Sequence, residues 1–446
     1  MMSDDVTVGI DIGTSSVKAI AADGDGNVVA SARVPHEFHV PSPGRFEHDA
    51  DEAWRRGPRA ALDALGDTAP LGVSVAAMVP SLAAVDAAGV PITPGLLYGD
   101  ERGRHGSRAG HPGESGELLA FLRWTVGEAP DAAGYWPAQA VANHELAGEP
   151  VLDTTTAATA YPLFDWTGWD PHLAGEVGVR PEQLPKLAPT GFECGRVGGV
   201  DGPALASGCI DAFAEQLVAG ADDDGDVLII LGTTLIVWAV TSRDEPVADH
   251  YVIPHTTPGK MLVGGPSNAG GLFLNWVSSL LAEGDRATDP GRVPVWAPFP
   301  RGERVPLNDP DHRGVLGGLD LTHTPGAVRR AAFEASGFVA RRMLEATKAD
   351  TNRIVATGGG TRVDEWVQAL ADATGVPVDC VAVPEGGALG SAWLARIAAG
   401  LEEPTAMAEG RRWARTGRRV EPDERWAPAV AERYEQFLDL TGLGDP

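Results

Sequence analysis

Two short apolar runs, each interrupted by a Gly-Thr turn and resumed at once, constrain this chain more than any other feature. Residues 6–12 run into Gly13-Thr14 and resume at 17–22, and residues 227–231 run into Gly232-Thr233-Thr234 and resume at 235–240. Runs this short, closed by turn formers, predict strand–turn–strand rather than helix. Asp23-Gly24-Asp25-Gly26-Asn27 then turns the first hairpin into a third strand over 28–34, and a matching third strand is expected at 260–264. The echo suggests a duplicated unit, although chance recurrence of a common turn explains it equally well. A chain of 446 residues has material for two domains. The acidic run Asp222-Asp223-Asp224-Gly225-Asp226 marks the expected boundary, with a first domain over 1–221, a second over 227–400 and a helical tail over 401–446. In the second domain, helices at 327–346, 365–374 and 388–399 alternate with strands at 353–357 and 377–381. That alternation predicts an α/β fold.

The charge balance excludes several partners. With 35 basic against 62 acidic side chains the net charge is −27, a field that repels nucleic acid and anionic membranes. The longest apolar stretch, 227–240, is too short to span a bilayer and is broken by Gly232. The N-terminus lacks the basic and apolar regions of a signal peptide, so a cytoplasmic location is expected. The three cysteines form no CxxC pair, which argues against a zinc site or a disulfide framework.

Asp11-Ile12-Gly13-Thr14-Ser15-Ser16-Val17-Lys18 carries the first chemistry. Gly13 permits the turn, Thr14 and Ser15 offer hydroxyls and amides to a phosphate, and Lys18 offers charge. Asp11, at the strand end, can hold the water shell of Mg²⁺. By itself this stretch is also a plain hairpin. Gly232-Thr233-Thr234 repeats the hydroxyls without the carboxylate. Gly358-Gly359-Gly360 lies between a predicted strand and helix, where bare backbone can lie against a flat ring. No GxxxxGK[ST] loop and no HRD or DFG set is present, so phosphoryl transfer here needs another scaffold. His36, His39 and His48 have no metal-ligand spacing and are expected to be solvated loop residues.

Taken together, the three turns resemble the phosphate-one, phosphate-two and adenosine motifs of the actin, hexokinase and heat-shock ATPase superfamily. Within it the chain is similar to the FGGY carbohydrate kinases, xylulokinase-like members above all. Phe46-Glu47-His48-Asp49-Ala50-Asp51-Glu52-Ala53-Trp54 looks like the acidic segment before a Trp helix. Gly302-Glu303-Arg304-Val305-Pro306 with Asn308-Asp309-Pro310 looks like the GER-P-NDP stretch, and Gly387-Ala388-Leu389-Gly390 like the last adenosine-contacting turn. The resemblance implies two actin-like (ribonuclease H-like) ATPase domains with an interdomain cleft. It also implies phosphorylation of a small-molecule sugar by ATP and Mg²⁺, with D-xylulose the best single acceptor. Another pentulose, an alditol, gluconate or a non-catalytic sensor are the alternatives. A homodimer is a candidate assembly.

The resemblance also assigns roles. Asp211, in Ser207-Gly208-Cys209-Ile210-Asp211-Ala212, becomes the general base, expected to face Asp11 across the cleft; a helix N-terminal Asp is the plainer reading of the same residue. Gly13, Thr14, Ser15, Lys18, Gly232, Thr233 and Thr234 fall to the ATP phosphates. Gly358, Gly359, Gly360, Gly387 and Ala388 fall to adenosine, and Asp11 to Mg²⁺, through water. Met78, Val79, Tyr98, Asp100 and Asp211 fall to the sugar. Val79 stands where a His is usual and Tyr98 where a Trp is usual, and Asp100 and Arg102 also read as a surface ion pair. The chain is shorter than is usual for the family, and the deficit falls between Arg102 and Trp136.

Overall fold

The computed structural model describes residues 5–103, 117–282, 284, 286–287 and 289–444. Residues 104–116, part of the stretch between Arg102 and Trp136 where the deficit is expected, lie outside the described residues. The chain forms two compact units, one joining Met1–Val218 to Glu385–Trp413, the other Ala219–Pro384 to Ala414–Pro446.

In unit one the main sheet consists of β1 (Thr7–Ile12), β2 (Ser16–Ala22), β3 (Val28–Pro35), β4 (Gly72–Ala77), β5 (Glu193–Arg196), β6 (Ala204–Ala206) and β7 (Cys209–Ile210). Their order is β5-β6-β4-β1-β2-β3, with β7 also paired to β4. β1 to β3 form an antiparallel meander, β4 runs parallel to β1, β6 and β7 run parallel to β4, and β5 closes antiparallel. Every residue of β1 and β4 is buried, including the polar Thr7, Asp11 and Ser74, whereas edge strand β3 alternates.

The helix Gly386–Ala398 lies flat on one face of this sheet. A Cβ at Gly9 would fall 1.8 Å from the Ala388 carbonyl, and one at Gly72 would fall 2.3 Å from that of Ala395. Only glycine leaves room for the helix. Thr7 Oγ1 donates to Ala392 O at 2.9 Å. The opposite face buries Val8, Ile10 and Ile12 in an apolar core with Trp54 and Val141. A smaller sheet follows the order Glu47–His48, Gly95–Leu97, Ser81–Val85, Gly134–Trp136.

Unit two is built on β8 (Asp226–Leu231), β9 (Leu235–Thr241), β10 (Tyr251–Pro254), β11 (Met261–Ser267), β12 (Arg353–Thr357), β13 (Val378–Val381) and β14 (Thr416–Val420), in the order β10-β11-β9-β8-β12-β13-β14. The run β11-β9-β8 is antiparallel, β8-β12-β13 is parallel, and β14 closes antiparallel. Unit one shows the same succession, so the echo between the two Gly-Thr hairpins extends to whole-sheet topology. The helices Pro325–Thr347, Asp364–Thr374 and Ala427–Thr441 bury Phe338, Trp366 and Phe437 in one core with the strands. Among the described residues no helix is long and apolar enough to cross a membrane.

Candidate active site

The candidate residues of unit one gather at one sheet edge. Ile12 pairs with Ala77, and Ala77 with Ile210, so three parallel strands end level. The residues that follow are Gly13, Met78 and Asp211. Ligands of open α/β sheets bind beyond the carboxyl ends of such strands. Asp11 and Asp211 therefore belong to one edge of one unit. They are separated by β4, about 10 Å at ordinary strand spacing. This corrects the expectation that they face each other from opposite sides of a cleft: β7, though only two residues long, hydrogen-bonds to the same strand as β1.

Strand period places Thr7, Gly9 and Asp11 on one face, and that face carries the helix Gly386–Ala398. A Cβ at Gly387 would sit 3.1 Å from Asp11 Cγ, so the helix N-terminus, its positive end, meets this carboxylate. Gly387 and Ala388 thus belong to unit one and the triple glycine to unit two. Lys18 is the cross-strand partner of Asp11, with Nζ 3.4 Å from Oδ2. The charge of Asp11 raises the lysine pKa, against the effect of burial, and Glu215 and Glu385 add to the rise. Neither glutamate was among the sequence candidates. Glu215 stands one helical turn beyond Asp211, and Glu385 directly precedes the Gly386–Ala398 helix.

Asp11 Oδ1 is buried and has no hydrogen-bond partner among the described residues. Among those residues there is also no cluster of three or more His, Cys, Asp or Glu side chains able to hold a metal. One unengaged carboxylate oxygen suits Mg²⁺ that keeps most of its water, and does not suit an all-protein cage. Asp211 opens the helix Asp211–Ala219, with Oδ1 accepting from the Ala212 amide at 2.7 Å.

The turn after β1 is fastened from below. Gly13 N donates to Ser16 O at 3.2 Å, and the hydroxyls of Thr14 and Tyr98 are 3.0 Å apart. His48 Nε2 is 2.8 Å from Thr14 O, and Trp54 Nε1 lies 3.0 Å from His48 Nδ1. An indole N–H only donates, so Nδ1 accepts and the proton on Nε2 goes to Thr14 O. Burial, helped by the nearby His36, pushes the His48 pKa down to about 3. His36 packs edge-on to it at 4.5 Å. His36 and His48 are thus buried supports, contrary to the expected solvated loop, because Trp54 and the turn itself enclose them. Their local sequence carries no sign of this.

The sugar candidates divide. Met78 is buried, with its amide donating to Ile12 O at 3.3 Å, and Val79 is half-buried. Asp100 is fully buried and accepts from the Phe46 amide at 2.7 Å, the Arg102 amide at 2.8 Å and Arg102 Nη2 at 2.7 Å. Arg102 Nη1 also reaches Glu47 Oε2 at 2.7 Å. Asp100 and Arg102 form a buried pair rather than a surface one, and the chain itself engages both carboxylate oxygens.

In unit two the level pair is Ile230 with Thr357, so Gly232 and Gly358 leave from one edge. Gly358 has φ +87°, and a Cβ there would lie 2.9 Å from Leu231 O. A Cβ at Gly360 would strike the Trp366 ring at 2.3 Å, whereas one at Gly359 would meet nothing within 4 Å. Two of the three glycines thus serve packing, and the third faces open space. The turn carbonyls of Gly232 and Thr233 accept from the amides of Gly271 and Leu272 at 2.8 and 3.0 Å. Arg304 Nη2 donates to Thr234 Oγ1 at 3.2 Å, and sequence reasoning gave this arginine no role.

Two sheets of matching topology, each with a hydroxyl-bearing turn after its first strand, define a protein of the actin-like ATPase fold. Residues 6–200 match the N-terminal domain, and residues 227–399 the C-terminal domain, of the FGGY family of carbohydrate kinases. The chain belongs to that family. It is therefore an ATP-dependent phosphotransferase with an alcohol group of a small-molecule sugar as acceptor. It is 25% identical over 420 residues to a gluconokinase of Bacillus licheniformis, covering 82% of each chain. It is 27% identical over 440 residues to a xylulose kinase of Escherichia coli, covering 89% of this chain and 90% of the relative. The crystal structure of a xylulose kinase from Rhodospirillum rubrum superposes with a TM-score of 0.77 at 27% identity, covering 98% of each chain.

Proposed function

We propose that the chain transfers the terminal phosphoryl group of ATP to a ketopentose hydroxyl, with D-xylulose as acceptor and D-xylulose 5-phosphate and ADP as products, a step of xylose metabolism. The common edge of β1, β4 and β7 carries this reading, because it brings Asp11, Met78 and Asp211 to one place. Asp211 takes the proton of the attacking hydroxyl as the new bond forms. Asp11, whose Oδ1 has no hydrogen-bond partner among the described residues, is the residue that would hold Mg²⁺, through water. Bound Mg²⁺ supplies neutralisation of phosphate charge, which a loose transition state needs more than a strong base. Gly13, Thr14, Ser15 and Lys18 serve the phosphates of ATP, as do Gly232, Thr233 and Thr234. Gly358, Gly359 and Gly360 receive adenosine. Gly387 and Ala388 stand beside Asp11, and in this reading they border the phosphates rather than the adenine ring. Met78, Val79 and Tyr98 form the sugar end, with Asp100 holding it in place through Arg102.

Gluconate is the second acceptor to consider, since a gluconokinase matches at an identity close to that of the xylulose kinases. Coupled ADP-release measurements over ketoses, alditols and sugar acids test both. Fastest turnover with D-xylulose is expected. Acceleration by no sugar, with ATP binding intact, would favour a sensor on the same fold and overturn the proposed reaction.

A further inference from the structure

The Gly302-Glu303-Arg304 stretch is a family-like motif to which the proposed reaction assigns nothing. Its geometry is specific. Glu303 is almost wholly buried, and its carboxylate accepts from Ser267 Oγ at 2.7 Å, the Asn268 amide at 2.8 Å and the Arg304 amide at 2.6 Å. Asn268 Nδ2 donates to Gly302 O at 2.9 Å, and the Val305 amide to Pro266 O at 3.2 Å. The stretch is thereby stapled to the end of β11. Ser267 of β11 is the cross-strand partner of Leu235, the first residue after the Gly232-Thr233-Thr234 turn. Arg304, half-buried, is thus carried to the turn and bonds Thr234 Oγ1.

The turn needs such a cation. It contains hydroxyls and no charged side chain. The first amides of the helix Gly271–Leu280 do not supply positive charge to a ligand there, because Gly271 N and Leu272 N already donate to the turn's own carbonyls. A guanidinium offers several N–H donors in one plane, a geometry suited to bonding a hydroxyl and phosphate oxygens together.

We propose that Arg304 is a nucleotide-binding residue that engages the terminal phosphates of ATP at the second turn, held there by the buried Glu303 carboxylate. The proposal rests on the assignment of Gly232, Thr233 and Thr234 to phosphate. Its signature is dependence on phosphate number. Calorimetric titration of the full chain with MgATP, ADP, AMP and adenosine, in the absence of sugar, tests it in wild type, Arg304→Gln and Arg304→Lys. Arg304→Gln is expected to weaken ATP and ADP about tenfold to a hundredfold, the effect of losing a hydrogen bond to a charged group, with AMP and adenosine changed less than about twofold. Arg304→Lys, which keeps the charge, is expected to recover part of the loss. Equal weakening of all four ligands would mark a structural role and overturn the proposal, as would unchanged ATP and ADP binding. A wild-type chain that binds none of the four would instead overturn the nucleotide assignment on which the proposal stands.

Discussion

Trp54 donates its indole N–H to Nδ1 of His48, and that single bond decides which nitrogen of the imidazole reaches the turn after β1. The helical segment that carries Trp54 and the candidate phosphate turn are joined through one ring. Asp49 secures the start of that segment, with Oδ1 accepting from the Glu52 amide at 3.1 Å.

His48→Leu leaves both the Thr14 carbonyl and the Trp54 indole without a partner. The expected result is a stability loss of about 2–4 kcal/mol in urea unfolding and a raised KM for ATP. His48→Gln, whose amide both donates and accepts, is expected to recover most of each. The native pKa lies below the ordinary value, at about 3. Between that value and about 6.5 the unfolded chain binds the extra proton, so the contribution of this histidine is present above 6.5 and lost as pH falls towards 3. The wild-type stability curve should therefore descend more steeply over that range than the curve of His48→Gln.

Asp211→Asn keeps the size and the helix-start geometry but removes the base. Turnover is expected to fall about 10²- to 10⁴-fold in a coupled assay, with KM for sugar within about threefold. Near-normal turnover would return Asp211 to the plain role of a residue at a helix N-terminus.

Asp11→Asn removes the carboxylate beside Lys18. Activity is expected to require a substantially higher Mg²⁺ concentration, read from the half-saturation point of a metal titration. The Lys18 pKa, raised chiefly by Asp11, should fall towards its ordinary value in the same variant, which lysine-directed labelling against pH can follow.

Asp100→Asn strips the charge from a buried partner of Arg102. Loss of stability by about 3–5 kcal/mol in thermal or urea unfolding is the expected outcome. A side chain that only touched sugar would raise KM and leave unfolding unchanged.

Where local pattern decides structure, the sequence was a good guide. The strand Arg353–Thr357 follows its apolar run residue for residue, and the helix Pro325–Thr347 extends the expected one by a residue or two at each end, where Thr324 and Pro325 supply the start. β5 and β6 escaped because they are three or four residues long and lie in a Pro- and Gly-rich stretch. β14 escaped because Thr416-Gly417-Arg418-Arg419-Val420 is charged; its arginines pair with Asp364 and Asp379 at an exposed edge. The site was legible as a set of turns but not as a set of neighbours. The level ending of β1, β4 and β7 depends on pairing across some 200 residues. The burial of His48, the bond from the Phe46 amide to Asp100 and the arrival of Arg304 at Thr234 likewise join residues far apart in the chain.

The helix Gly386–Ala398 covers strands that begin at Thr7, and this has a consequence for how the molecule is made. The groove that Gly9 and Gly72 leave in the first sheet is filled by a segment near the far end of the chain. During synthesis, roughly the first 385 residues emerge before that segment exists. Domains usually complete in the order in which they leave the ribosome. Here the face of the first sheet that carries Thr7, Gly9 and Gly72 must wait uncovered until that helix has been made. A chain terminated before Gly386 would expose that face permanently, and the deletion would cost the first unit its fold rather than trim the second.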